Sequence, residues 1–137
     1  MKMDYLTIAT AGKDLTWFCH GQALANGWWT ELGTGKDLRS KGYPLQQPIK
    51  NVGELIALAH SELSEALEAH RKLLMDDKLP DRTGLEVELA DCVIRIFDIA
   101  GGLGLDVAGA IASKLEFNAS RDDHRPASRR EANGKKF

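Results

Sequence analysis

Apolar residues recur at three- and four-residue intervals along most of this chain, and no stretch alternates as a strand would. The spacing predicts a first helix from about Tyr5 to Asn26. Its inward positions would be Ile8, Leu15, Phe18, Cys19, Gln22 and Ala23, and Gly27 is its expected stop. A second helix begins near Asn51, an N-cap with Glu54 three residues on, a variant of the capping box. Along it Val52, Ile56, Ala59, Leu63, Ala66 and His70 alternate at four and three as a packing seam. After a polar break from Asp76 to Asp81 comes a third helix, about Thr83 to Ala100, apolar nearly all round and so suited to an interior. Gly101, Gly102 and Gly104 read as its terminator, and a fourth helix runs from about Asp106 to Ser120. The Gly-, Lys- and Pro-rich connection from Gly33 to Pro48 is longer than is usual in a compact bundle, and loops of that length tend to be functional or mobile. The fold class is all-α.

Acids interrupt this apolar frame in a pattern. Glu62 and Glu65 lie in ELIALAHSELSEALEAHRKLL, Glu88 and Asp91 in GLEVELADCVIRIFDIAGGL. Each pair is spaced i, i+3, which puts both carboxylates on one helix face. Glu62 shares its face with Leu55, Leu58, Ala59, Ala66 and Ala69, while Glu88, Asp91, Arg95 and Asp98 form a polar stripe on the third helix. Buried carboxylates must be neutralised by pairing, protonation or metal binding. Arg95 can satisfy one of them. A single acid of this kind reads as a solvated, paired side chain, but two pairs inside core-like segments are expected to surround a hard cation. Oxygen-only ligands point to Mg²⁺ or Mn²⁺ rather than zinc. His60, His70 and His124 have no metal-ligand spacing, and the glycines after the third helix lack the context of a phosphate loop. His20 reads as a core histidine with its nitrogens satisfied, or as one that reaches the site. Trp28 and Trp29 read either as core or interface anchors closing the first helix, or as a platform for a base.

Composition narrows the field further. At 137 residues and 15.1 kDa the chain fits one domain, and 43% hydrophobic with 28% charged residues is ordinary for a globular protein. A net charge of -2 gives no general electrostatic case for nucleic acid or membranes. The segment from Arg121 to Phe137 is nevertheless +3, which leaves the preceding body at -5 out of the total of -2. A basic tail on an acidic body suits either a solvated tail or a metal site with an anionic substrate. Cys19 and Cys92, far apart in apolar segments, read as free thiols in a reducing compartment. With no signal-peptide pattern and no run of about 18 apolar residues, the expected location is cytoplasmic.

Glu62-x-x-Glu65 followed by Glu88-x-x-Asp91 resembles the signature of the MazG-like, all-α nucleoside triphosphate pyrophosphohydrolases. GWW after the first helix, ELSEALEAHRK, VELADCVIRIFDIAG, KLEFNASR and the closing NGKKF are similar too. The likeness runs from about His20 to the C-terminus, diffuse between Thr30 and Pro48. It implies a four-helix bundle over residues 1–123 with a basic tail over 124–137, assembled as a homodimer or dimer of dimers with sites partly at subunit contacts. It also implies Mg²⁺-dependent cleavage of nucleoside triphosphates between the α- and β-phosphates, giving a monophosphate and pyrophosphate, with Mn²⁺ as a substitute. Glu62, Glu65, Glu88 and Asp91 would then be metal ligands, with Glu62 or Glu65 instead orienting or deprotonating the attacking water. Lys114, Asn118 and Arg121 match the family's phosphate-facing run; at i, i+4 and i+7 they share a face that can hold a departing pyrophosphate. Trp28 is the candidate for contact with the base. Two rivals remain. A di-iron carboxylate bundle uses Glu-x-x-His pairs, whereas Glu65 and Asp91 occupy those positions here. The other is a non-catalytic helical module that binds nucleotide or dimerises.

Overall fold

The computed structural model describes residues 4–42, 44–46 and 50–135. Every regular element among them is helical: α1 (Tyr5–Ala25), α2 (Val52–Lys72), α3 (Gly84–Leu103), α4 (Val107–Ser120), a 3₁₀ turn at Asp122–His124 and α5 (Pro126–Arg130). Extended pairing is limited to two isolated antiparallel bridges, Thr30 with Asp37 and Met75 with Thr83. The all-α expectation holds. No single helix among the described residues is long and apolar enough to cross a membrane. The chain divides into two compact units, one from Asp14 to Leu105, the other combining the segment up to Lys13 with the chain from Asp106 onward.

The first of these units is built on α2 packed against α3. Asn51 caps α2 as expected, its side-chain oxygen accepting the N–H groups of Gly53 (3.1 Å) and Glu54 (3.4 Å). Leu73 ends α2 in the left-handed region at φ 54°, its N–H bonded back to the carbonyls of Ala69 and His70. The buried stripe of α2 is Leu55, Ala59, Glu62, Ala66 and Ala69, so the seam expected through Ile56, Leu63 and His70 is displaced by one position. Both stripes have four–three spacing and share Ala59 and Ala66. They differ in that Leu55, Glu62 and Ala69 face inward where Ile56, Leu63 and His70 were expected. At the end of the hairpin, a Cβ added to Gly84 would stand 2.9 Å from that of Ala69.

Thr83 opens α3 with a full capping box: its hydroxyl accepts the Glu86 N–H at 3.2 Å and Glu86 Oε2 accepts the Thr83 N–H at 3.0 Å. α3 runs three residues beyond the expected end at Ala100. Gly101 and Gly102 lie inside α3, and Gly104 alone terminates it, at φ 65°. Their function is packing rather than termination. A methyl group on Gly102 would fall inside the Trp29 indole, and one on Gly101 inside the His20 ring. Trp29 is thereby fully buried, forming a core with Leu55 and Leu103 against which Ala23, Leu24, Val52 and Ile99 pack. The polypeptide from Gly27 to Gln46 is tied down by Ser40, whose N–H reaches the Gly102 carbonyl at 2.9 Å and whose hydroxyl accepts the Gln46 N–H at 2.9 Å. The Pro48 end of the Gly33–Pro48 connection lies outside the described residues, as do Lys136 and Phe137 of the basic tail.

Gly27, at φ 76°, stops α1 as expected. Of the inward positions expected on α1, Ile8, Cys19 and Ala23 are partly buried, whereas Leu15, Phe18 and Gln22 are exposed. That helix is apolar around most of its circumference, so periodicity alone did not select the face. Cys19, His20, Ala23 and Leu24 supply it instead, while Trp17 and Phe18 stack edge to face outside with centroids 4.9 Å apart. In the other unit, Asp106 caps α4 by accepting the Gly109 N–H at 2.9 Å, and Ala108 and Ala112 are its buried residues.

Gly102→Ala is expected to cost about 1–3 kcal/mol through overpacking against Trp29. Chemical denaturation followed by tryptophan fluorescence measures it, and an unchanged midpoint would contradict the packing described here.

Candidate metal centre

The close α2–α3 packing brings carboxylates of both helices together. One oxygen each from Glu62, Glu65 and Glu88 lies within 4.8 Å of the other two. Glu62 is buried, Glu88 half-buried and Glu65 exposed, so the cluster runs from the helix seam out to solvent. Burial, reinforced by the charge of Glu65, a hydrogen bond with Glu62 and the charges of Glu62 and Asp91, pushes the Glu88 carboxyl above its ordinary value of 4.5. Like charges so placed call for a positive partner. Arg95 supplies part of it, its Nε donating to Glu62 Oε1 at 2.5 Å.

The donor set fits a hard divalent ion. It consists of carboxylate oxygens alone, drawn from two rigid helices, with one member open to water. This triad of glutamates could hold a metal ion. Asp91, the fourth expected ligand, is not part of the triad. It is exposed and lines an adjoining cavity of about 580 Å³ with Gln22, Asn26, Trp28, Lys50, Glu54, Arg95 and Asp98.

That cavity is anchored by an interaction the sequence did not make obvious. Asp98 Oδ1 accepts the Trp29 indole N–H at 2.7 Å and lies 2.8 Å from His20 Nδ1, joining α1, the turn after it and α3. His20 is therefore a packing residue with one nitrogen satisfied; its Nε2 is buried with no hydrogen-bond partner among the described residues. The two tryptophans lie in different surroundings. Trp29 is core, with Lys50 Nζ 5.4 Å from its ring centroid, while Trp28 is 65% exposed at the cavity wall. From the sequence Gln22 read only as an inward position of α1, Asn26 as the end of that helix and Glu54 as a capping residue, and Lys50 was not named; none was tied to a cavity. Each is one polar residue on a helix or loop, and only the fold puts them around one space.

Lys114, Asn118 and Arg121 belong to the other compact unit. Lys114 and Arg121 flank the Phe117 ring, at 5.0 and 5.8 Å from its centroid, and Asn118 Oδ1 is buried without a partner among the described residues. The helical i, i+7 register does not reach Arg121. α4 ends at Ser120, Arg121 is extended (φ -75°, ψ 125°), and its guanidinium is held by Asp123 through Nε at 2.8 Å and Nη2 at 2.5 Å. A carboxylate two residues away thus competes for the charge expected to face phosphate.

No family model matches this chain, and neither does any curated protein or solved structure.

The raised proton affinity of Glu88 has a definite sign. Its contribution to the stability of the metal-free protein is fully present below 4.5 and is lost as pH rises through the higher folded-state value. Glu88→Gln is therefore expected to raise the melting temperature in EDTA at neutral pH, with the gain vanishing in acid. Calorimetry across that range checks it; a lower melting temperature at neutral pH would contradict the repulsion.

Proposed function

We propose that this chain is a magnesium-dependent nucleoside triphosphate pyrophosphohydrolase of MazG-like type. The observation that carries the reading is the convergence of Glu62, Glu65 and Glu88 from two packed helices, with Asp91 beside them. Bound there, Mg²⁺ would supply Lewis-acid stabilisation of the phosphate oxygens as charge builds on them. Mn²⁺ has the same taste for oxygen ligands and would substitute.

Within this reading Glu65 is the residue to orient and deprotonate water, because it is exposed whereas Glu62 is buried and paired with Arg95. The water oxygen bonds to the α-phosphorus, its proton passes to Glu65, and the bond from that phosphorus to the α–β bridging oxygen breaks. Nucleoside monophosphate and pyrophosphate result. The cavity has the volume of a small-molecule site, and the exposed face of Trp28 offers a base something to stack on.

A homo-oligomer of the bundle type belongs to the same proposal. Ile56, Leu63 and Leu67 on α2 and Leu89, Val93 and Ile96 on α3 are each more than 40% exposed, an apolar surface that a second copy would cover. Leu63→Glu or Val93→Glu is expected to reduce the mass seen by light scattering to that of one chain. A mass of one chain for the unaltered protein would refute the assembly.

Pyrophosphate release from a panel of ribo- and deoxyribonucleoside triphosphates with Mg²⁺ tests the activity. Glu62→Gln and Glu65→Gln are each expected to lower turnover about a hundredfold or more, the range for loss of a positioned acid–base group or metal ligand. Absence of release from every triphosphate would favour the non-catalytic nucleotide-binding module.

A further inference from the structure

Arg95 stands at the boundary between the acid cluster and the cavity. Its Nε donates to Glu62, whose side chain is 8% exposed, while its own side chain is 43% exposed. Among the described residues, this is the only hydrogen bond the guanidinium makes to a carboxylate, leaving the donors of its planar fork otherwise uncommitted. The cavity it lines carries two cations, Lys50 and Arg95, against three acids, Glu54, Asp91 and Asp98. A free polyanion would be opposed there, the more so while Glu62 neutralises Arg95.

We propose that Arg95 is an internal counter-ion: a divalent cation must displace its guanidinium from Glu62, and the displaced guanidinium then becomes the cavity's anion-binding group. This rests on reading the three glutamates as a metal site. Glu62 cannot give its full charge to both partners, so cation and guanidinium compete for it. Binding of the cation raises the charge of the region by two and leaves the guanidinium without its carboxylate. Asp91 and Asp98, four residues before and three after Arg95 on α3, are the rivals for the freed guanidinium. Asp98 is already engaged by Trp29 and His20. The consequence is positive coupling: cation tightens anion, and by reciprocity anion tightens cation.

The test is isothermal titration with Mn²⁺ and with pyrophosphate, on the full chain and on Arg95→Gln. In the unaltered protein, Mn²⁺ is expected to tighten pyrophosphate binding. In Arg95→Gln, Mn²⁺ is expected to bind about tenfold more tightly because its competitor is gone, on the scale of one charge-assisted hydrogen bond. Pyrophosphate, with Mn²⁺ saturating, is expected to bind about tenfold more weakly. Unchanged or weaker Mn²⁺ binding in Arg95→Gln would overturn the proposal, since it would make Arg95 a mere holder of Glu62. If Arg95→Gln does not fold, Arg95→Lys keeps the charge without the fork. It should leave Mn²⁺ affinity within about twofold and still weaken pyrophosphate, and a larger fall in Mn²⁺ affinity refutes competition. A wild-type chain that binds no Mn²⁺ would instead remove the metal reading itself, and this proposal with it.

Discussion

The seam between α2 and α3 is the constraint on which the site depends. It is lined by alanines, and small side chains there allow two helices to approach closely enough for carboxylates on opposite sides to meet. Burying Glu62 in such a seam is unfavourable in isolation. The cluster is tolerable because it grades outward to an exposed Glu65 and because Arg95 brings a compensating charge to its innermost member. Larger residues at Ala59 or Ala66 would hold the helices apart and leave ordinary solvated acids in place of a cluster.

Much of this was legible in the chain. Helix positions, the Asn51 cap, the Gly27 stop and the Thr83 region followed from local rules that act within four residues. Glu62, Glu65 and Glu88 were legible for a different reason: acids recurring at i, i+3 inside apolar segments contradict the burial those segments demand. What failed was the choice of face. On α1 and α2, apolar residues surround more than half the circumference, so two seams satisfy the same periodicity. What the neighbouring helix presents decides between them, and one sequence does not state which helix is the neighbour. That Lys50, Glu54 and Asn26 line one cavity was hidden for the same reason. Arg121 illustrates another limit, since a helical register carries meaning only as far as the helix does, and beyond its end Asp123 holds the guanidinium.

Asp98 shows how a polar residue in an apolar helix can be structural and still shape a site. By accepting from Trp29 and pairing with His20, it fixes Trp29 inward. The next residue back, Trp28, is left facing the cavity. The carboxylate and the space that Gly102 leaves for the indole together set which tryptophan faces inward.

Gly101 and Gly102 give the protein a further property. Two adjacent glycines weaken a helix by about 1 kcal/mol each relative to alanine, so the final turn of α3 has little intrinsic reason to form. It is held by the indole and imidazole that fill the space above it. That turn is therefore conditional on long-range docking. A peptide spanning α3 alone would fray from Gly101 onward, and in the growing chain the last turn would wait for Trp29 and His20, already synthesised, to settle against it.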